Sequence, residues 1–197
     1  MEYIVGKPRI KSALFYASIC IVWAVILAIF NAWQGIRIFS IVLVIIVIFI
    51  VVPGLSYSRI MWKVNEQKLS YTYHDTFLVK ICAFFRHVLV DHHLIYQMNI
   101  HLNQIDYIEI TYAKIPRFPY AMYGYDILFK IHTFSGSIYT FDIFGFSLKK
   151  EEVINAIHFM QKKEIRFIDR FHIIDELDKG TPISYYLDAL ERGQKHD

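Results

Sequence analysis

Two uninterrupted apolar runs occupy the first 57 residues of the chain. They extend from Ser12 to Trp33 and from Ile38 to Tyr57, and neither contains a charged residue. Each run is long enough to cross the ~30 Å hydrocarbon core of a bilayer, which requires a helix of about 20 residues. Both runs are apolar on every side, which is typical of a membrane helix rather than the one-sided helix of a soluble domain. The pattern predicts a transmembrane helical hairpin over residues 1–57, with spans at about 12–33 and 38–57.

Shorter segments with strand-like patterns follow the hairpin. Alternation of polar and apolar residues, or a short apolar run, indicates a strand. The predicted strands cover residues 68–74, 77–85, 87–103, 105–113, 126–134 and 138–146. The last two flank Ser135-Gly136-Ser137, and a short glycine-centred turn between two such segments predicts a β-hairpin.

The periodicity becomes helical after Phe146. Four apolar residues recur at helical spacing and predict one buried face: Val153, Ile154, Ile157 and Met160. Ser147 is expected to cap this helix. A second helical stretch is predicted over residues 165–177, and Thr181-Pro182 is typical of the start of a third helix.

Together these elements predict an α+β protein in three parts. The hairpin of residues 1–57 precedes a bent antiparallel sheet or partial barrel over residues 58–163. The amphipathic helix that begins near Ser147 should cover the open end of this sheet. Residues 164–197 form a helical C-terminal extension.

Charge then excludes one class of partner and suggests an orientation. From Ser58 onward the chain has 17 basic and 17 acidic residues, so it lacks the basic face that nucleic-acid binding requires. Lys7, Arg9 and Lys11 precede the first span, whereas only Arg37 lies between the spans. Basic residues favour the cytoplasmic side, so both termini and the soluble domain are predicted to be cytoplasmic at the cell membrane.

Single residues refine this picture. Trp62 and Tyr57 are suited to a membrane–water interface. Cys20 and Cys82 have no metal-ligand spacing, and we interpret both as small buried side chains. Neither span shows a clear small-xxx-small packing face, so the sequence leaves the oligomeric state undefined.

The layout resembles bacterial membrane proteins that carry a pleckstrin-homology-like domain after an N-terminal helical hairpin. The resemblance covers residues 12–163 and rests on three features: the two spans, Val64-Asn-Glu-Gln-Lys68 with the strand after it, and the segment from Met98 to Ile110. It implies a pleckstrin-homology-like fold and a non-enzymatic binding role at the cytoplasmic membrane. Some such relatives are thought to protect against bacteriocins or to maintain the envelope. No catalytic motif is shared in the family, so no functional residue is transferred.

The segment from Ala113 to Tyr125 is the main candidate site. Two prolines and a glycine predict a loop. Its basic and aromatic side chains are suited to lipid headgroups, although the rings could instead fold back onto the domain. The candidate binding residues are Lys114, Arg117, Phe118, Tyr120 and Tyr123, together with the doublet Lys149 and Lys150.

Asp91-His92-His93 is the most suggestive cluster for metal chemistry. Adjacent histidines on a strand point to opposite faces, so a site would need further ligands such as His74, His87 or His101. We interpret the cluster as a polar turn and predict no bound metal or cofactor. No nucleophile elbow, phosphate-binding loop, dinucleotide fingerprint or zinc-protease motif occurs in the sequence.

The leading hypothesis is therefore a non-enzymatic, membrane-anchored interaction module that binds lipid headgroups or a membrane protein. The second hypothesis is an immunity or envelope-maintenance protein that acts through its spans. The third hypothesis, a metalloenzyme that uses the histidine-rich region, has the least support.

Overall fold

The computed structural model describes residues 2–30, 33–57, 60–72, 76–90, 96–117, 122–144 and 149–194. The chain forms two compact units. A sheet unit comprises Met1–Gly6, Ile60–Tyr71 and Gln97–Asp197, and a helical unit comprises Lys7–Arg59 and Thr72–Tyr96.

An apolar hairpin forms most of the helical unit. Helix α1 covers Ile10–Phe30 and α2 covers Gln34–Ile46, and α2 continues through a π-helical segment, Val47–Val51, into α3, Val52–Ser56. The two continuous helices, Ile10–Phe30 and Gln34–Ser56, are long and apolar enough to span a membrane. Pro53 accounts for the π segment, because its ring would clash with the carbonyl of Phe49 in a regular α-helix.

Small side chains line the inner face of α1. Ala13, Ala17 and Ala24 are its buried residues. Small side chains on the buried side of a helix permit another helix to pack against it. The expectation that neither span has a small-residue packing face was therefore wrong. Ser40 of α2 is also buried, and its hydroxyl donates to the Ile36 carbonyl oxygen at 2.9 Å.

Helix α4, Phe77–Leu89, completes the helical unit and corrects the strands predicted over 77–85 and at the start of 87–103. The hydroxyl of Thr76 accepts from the Val79 amide at 3.4 Å and caps the helix. The interpretation of the two cysteines was also wrong. Cys20 on α1 and Cys82 on α4 are both exposed.

The described strands of the sheet unit form two four-stranded sheets. The first has the order β1-β2-β3-β4, with β1 at Glu2–Val5, β2 at Met61–Asn65, β3 at Lys68–Thr72 and β4 at Met98–His101. The second has the order β7-β6-β5-β8, with β5 at Ile105–Arg117, β6 at Met122–Thr133, β7 at Ile138–Phe144 and β8 at Arg166–Asp169. A short 3₁₀ turn, Leu102–Gln104, joins β4 to β5.

The predicted β6–β7 hairpin is present, whereas two strands at the chain ends were not foreseen. Strand β1 precedes the apolar hairpin and pairs antiparallel with β2. Strand β8 pairs parallel with β5, so the second sheet is mixed rather than antiparallel. It replaces the start of the helix predicted over 165–177. Helix α6 begins only at Ile173, where the Asp169 carboxylate accepts from the amides of Ile173 and Ile174.

The core lies between the two sheets and α5, Lys150–Lys162. Helix α5 buries the predicted face, including Val153, Ile157 and Met160. The predicted cap, Ser147, lies outside the described residues. Helix α6, Ile173–Lys179, and α7, Ile183–Gln194, follow, and α7 begins directly after the predicted Thr181-Pro182.

Trp62 is fully buried in this core and not at an interface. Its Nε1 donates to the Ile143 carbonyl oxygen at 3.2 Å, and its ring meets Phe129 edge-on with centroids 5.8 Å apart. An isolated aromatic residue beside a membrane span suggests an interfacial position, but here the strand β2 directs it between two sheets. The expectation for Trp62 was therefore wrong. Tyr57 is buried too, at the end of α3 within the helical unit, and its interfacial position stays a prediction.

Candidate functional site

The predicted loop of residues 113–125 is largely a long two-stranded ribbon, formed by β5 and β6. Ala113 pairs with Asp126, and pairing continues to Arg117 and Met122. Pro116 did not break the strand because β8 pairs with Tyr107–Ile110, so that among the described strands β6 is the only one paired with β5 at Pro116. The loop prediction was wrong for these residues. Phe118 and Tyr120 lie outside the described residues, and only the backbone of Arg117 is described.

Lys114 projects from the ribbon towards α7. Its ammonium forms an ion pair with the carboxylate of Glu191, and it lies 5.1 Å from the ring centroid of Tyr123 and 5.6 Å from that of Tyr125. The hydrogen bond to Glu191 raises the pKa of Lys114. The lysine thus remains charged, but an adjacent carboxylate compensates its charge.

Tyr125 connects the ribbon to the same helix. Its hydroxyl donates to Oδ1 of Asp188 at 2.6 Å, and burial, reinforced by this hydrogen bond, raises the pKa of Tyr125 to about 12. Tyr112 meets the rings of both Tyr125 and Phe171 edge-on, at 5.7 and 5.0 Å between centroids. Part of the aromatic segment therefore folds back onto the sheet unit, which is one of the two alternatives left open by the sequence.

Tyr123 is placed differently from Tyr125. The two residues are two positions apart on β6 and therefore share one face of the ribbon. The side chain of Tyr125 is buried, whereas Tyr123 is 65% exposed. Tyr123 and the adjacent Lys114 are thus the described candidate residues that form an accessible aromatic and cationic surface at the end of the ribbon.

Within the doublet of Lys149 and Lys150, Lys150 contacts another helix, whereas Lys149 is exposed at the start of α5. The Lys150 ammonium lies 3.9 Å from the position that a Cβ atom on Gly180 would occupy, at the C-terminal end of α6. A cation is favourable at this end of a helix dipole. Hydrogen bonds from Lys179 and Thr181 lower the pKa of Glu176, and the positive charge of Lys150 makes a smaller contribution in the same direction. We attribute a structural role to Lys150.

His132 and His158 each lie near one acidic side chain. His132 stacks on Tyr107 with ring centroids 4.2 Å apart, and its Nε2 lies 3.8 Å from a carboxylate oxygen of Glu109. His158 lies 3.2 Å from Asp178. Among the residues that the structure describes, no group of three or more His, Cys, Asp or Glu side chains is arranged to hold a metal. Asp91, His92, His93 and His74 lie outside those residues.

Sequence reasoning missed a second candidate surface, on α4. Read as a strand, residues 77–85 gave no clear face, but apolar residues also recur at helical spacing: Leu78, Cys82, Phe85 and Leu89. The intervals of four, three and four residues were the signal that could have identified an amphipathic helix.

No family model, curated protein or solved structure matches this chain. Its architecture, an N-terminal two-helix unit followed by a sheet domain, is compatible with that of bacterial membrane proteins carrying a pleckstrin-homology-like domain.

Proposed function

We propose that this protein is a membrane-anchored, non-enzymatic interaction module with a pleckstrin-homology-like sheet unit. The apolar hairpin would be the anchor. The observation that carries this proposal is the outward surface of the hairpin, where Trp23 is 62% and Phe30 is 81% exposed. In water each such side chain would forgo about 1.5–3 kcal/mol of burial free energy, whereas contact with acyl chains provides it.

The charges at the hairpin ends support a cytoplasmic location for both termini and the sheet unit. The Arg9 amide donates to the Ser56 carbonyl oxygen at 2.9 Å, so the start of α1 and the end of α3 lie together. Lys7, Arg9 and Lys11 gather at this end, and Arg37 is the single charged residue near the opposite end. Positive charge favours the cytoplasmic leaflet, so the closed end would face outward in a two-span topology.

We propose that the sheet unit binds a membrane-protein partner through the ribbon end around Tyr123. Exposed tyrosines are typical anchors of protein interfaces. Glu191 compensates the charge of Lys114, and this pairing weakens the electrostatic attraction that headgroup capture would use. A partner held in the same bilayer would also meet this surface at a high effective concentration.

Site-specific photocrosslinking of the full chain in native membranes tests this proposal. A crosslinker at position 123 is expected to give one discrete protein adduct. The matched control places it at Phe134, an exposed aromatic residue just beyond the other end of β6. The two positions are about 35 Å apart at the usual rise of a strand. Adducts to phospholipid alone would assign headgroup binding instead, and identical adducts from both positions would contradict a specific site.

A further inference from the structure

Helix α4 belongs to the segment between β3 and β4, which leaves the first sheet and packs with the apolar hairpin. Tyr71 of β3 pairs with Met98 of β4, so the chain leaves the sheet after Thr72 and returns to a neighbouring position. Residues 72–96 belong to the same compact unit as the hairpin. Within that unit the Phe77 ring lies directly against Gly54 of α3. This segment thus places an additional helix on the second helix of the hairpin.

One side of α4 is an apolar stripe formed by Leu78, Cys82, Phe85 and Leu89, in which Phe85 is half-buried and the other three residues are exposed. Leu78 is 71% and Leu89 is 75% exposed. The opposite side carries Lys80 and His87, which are seven residues apart and therefore nearly aligned on the helix. The helix is amphipathic, yet its apolar stripe is turned outward rather than into a core.

Two ring contacts define the orientation of α4 relative to the second helix of the hairpin. Phe85 meets Phe49 with centroids 5.8 Å apart, and His87 meets Tyr57 with centroids 6.3 Å apart. Phe49 and Tyr57 are eight residues apart, about 12 Å along their helix, whereas Phe85 and His87 are separated by only about 3 Å along α4. Helix α4 therefore crosses the second hairpin helix at a steep angle instead of running beside it.

The same contacts orient the two faces of α4. Phe85 and His87 project to nearly opposite sides, because successive helical residues are about 100° apart. Phe85 reaches towards the middle of the hairpin, at Phe49, and His87 reaches towards its end, at Tyr57. The stripe that contains Phe85 therefore faces the middle of the apolar hairpin. The side of α4 that carries Lys80 faces the end of the hairpin near Tyr57.

We propose that α4 is an interfacial helix that embeds this stripe among the acyl chains of the cytoplasmic leaflet. This inference rests on the proposed membrane anchor. With 13 residues α4 is about 20 Å long, too short to span the ~30 Å hydrocarbon core. A steeply crossing amphipathic helix with an outward apolar stripe and a polar side towards the headgroups is suited to the interfacial plane. The stripe is continuous with the lipid-facing surface of the hairpin, so lipid is its occupant.

The two native cysteines allow a direct test in the full chain reconstituted into phosphatidylcholine–phosphatidylglycerol vesicles. In the Cys20→Ser variant a fluorophore on Cys82 reports on the stripe. In the Cys82→Ser variant the same fluorophore on Cys20 reports on α1. We expect the Cys82 probe to be quenched severalfold more strongly by nitroxide-labelled lipid than by aqueous iodide. A third variant, Lys80→Cys without native cysteines, is the matched control on the opposite side, where iodide should quench more strongly.

The outcomes separate this inference from the anchor itself. Lipid quenching at Cys20 with iodide quenching at Cys82 would overturn the interfacial helix and keep the anchor. Lipid quenching at neither cysteine would overturn both. Protection of Cys82 from both quenchers would show that protein, a second copy or a partner, covers the stripe, and would also overturn the inference.

Discussion

The ring of Phe77 lies against the backbone of Gly54, so closely that a Cβ atom on Gly54 would be 2.6 Å from Cε2 of Phe77. Side-chain carbons do not approach to this distance, and a methyl group at position 54 must displace the ring. The contact lies near the start of α4, where that helix meets α3. The absence of a side chain at residue 54 thus permits the observed docking of the two helices.

Gly54→Ala is therefore expected to destabilise the helical unit. Alanine favours a helix over glycine by about 1 kcal/mol, but overpacking a tight contact typically costs about 1–3 kcal/mol. We expect a net loss of about 1 kcal/mol, visible as a lower midpoint of thermal unfolding in detergent micelles.

Gly35→Ala is the matched control for this prediction. A Cβ atom on Gly35 would meet Trp33 at 3.8 Å, which is an ordinary contact, so the gain in helix propensity should prevail. In a Phe77→Ala background, Gly54→Ala should also cease to destabilise. Equal midpoints for the two glycine variants in the native background would contradict the steric explanation.

Trp62→Phe tests the link between the two sheets. The substitution removes the Nε1 donor that pairs with the Ile143 carbonyl and leaves this buried acceptor unsatisfied. A lost buried partner costs about 1–3 kcal/mol, which denaturant unfolding of the full chain in micelles would measure. Trp23→Phe, at an exposed position of α1, should leave stability nearly unchanged. The prediction fails if both variants unfold at the same denaturant concentration.

The contact between Tyr125 and Asp188 predicts that the stability of the fold decreases at alkaline pH. The pKa of Tyr125 is raised from 10.0 to about 12, chiefly by burial and then by the hydrogen bond to Asp188. Because folding favours the neutral phenol, this contribution to stability is complete below pH 10 and is lost as the pH rises through about 12. The difference in phenolate absorbance between the native chain and Tyr125→Phe should show the late ionisation. Asp188→Ala should move it to lower pH, and an unchanged titration would argue against the hydrogen bond.

The buried carboxyl group of Asp142 on β7 is expected to lower the stability of the fold at neutral pH. Burial, followed by the negative charge of Asp126, raises the pKa of Asp142 above 3.8. The folded state therefore disfavours the carboxylate, and Asp142→Asn should raise the thermal midpoint at pH 7. Since the native side chain becomes neutral in acid, this gain should vanish as the pH falls through the raised pKa towards 3.8. Asp106→Asn on the exposed surface of β5 should produce no comparable gain, and equal gains would contradict the assignment.

Local pattern predicted the elements whose identity depends on length and periodicity. The two apolar runs, the β6–β7 hairpin, the inner face of α5 and the start of α7 were recognisable because each is specified by neighbouring residues. The apolar runs were recognisable from composition alone, because a helix formed by either run is apolar on all of its sides.

Tertiary structure decided the features that depend on a distant partner. Residues 77–89 fit a strand or a helix by local pattern, and packing of Phe77 and Phe85 against residues of the apolar hairpin accompanies the helix. Burial of Trp62 leaves its single side-chain donor satisfied, because the carbonyl oxygen of Ile143, 81 positions away, accepts a hydrogen bond from Nε1. Lys114 became an ion-pair partner rather than a free cation because α7 brings Glu191 beside it. Sequence alone specified each segment's own preferences, whereas burial and charge compensation required knowledge of which distant groups share the same space.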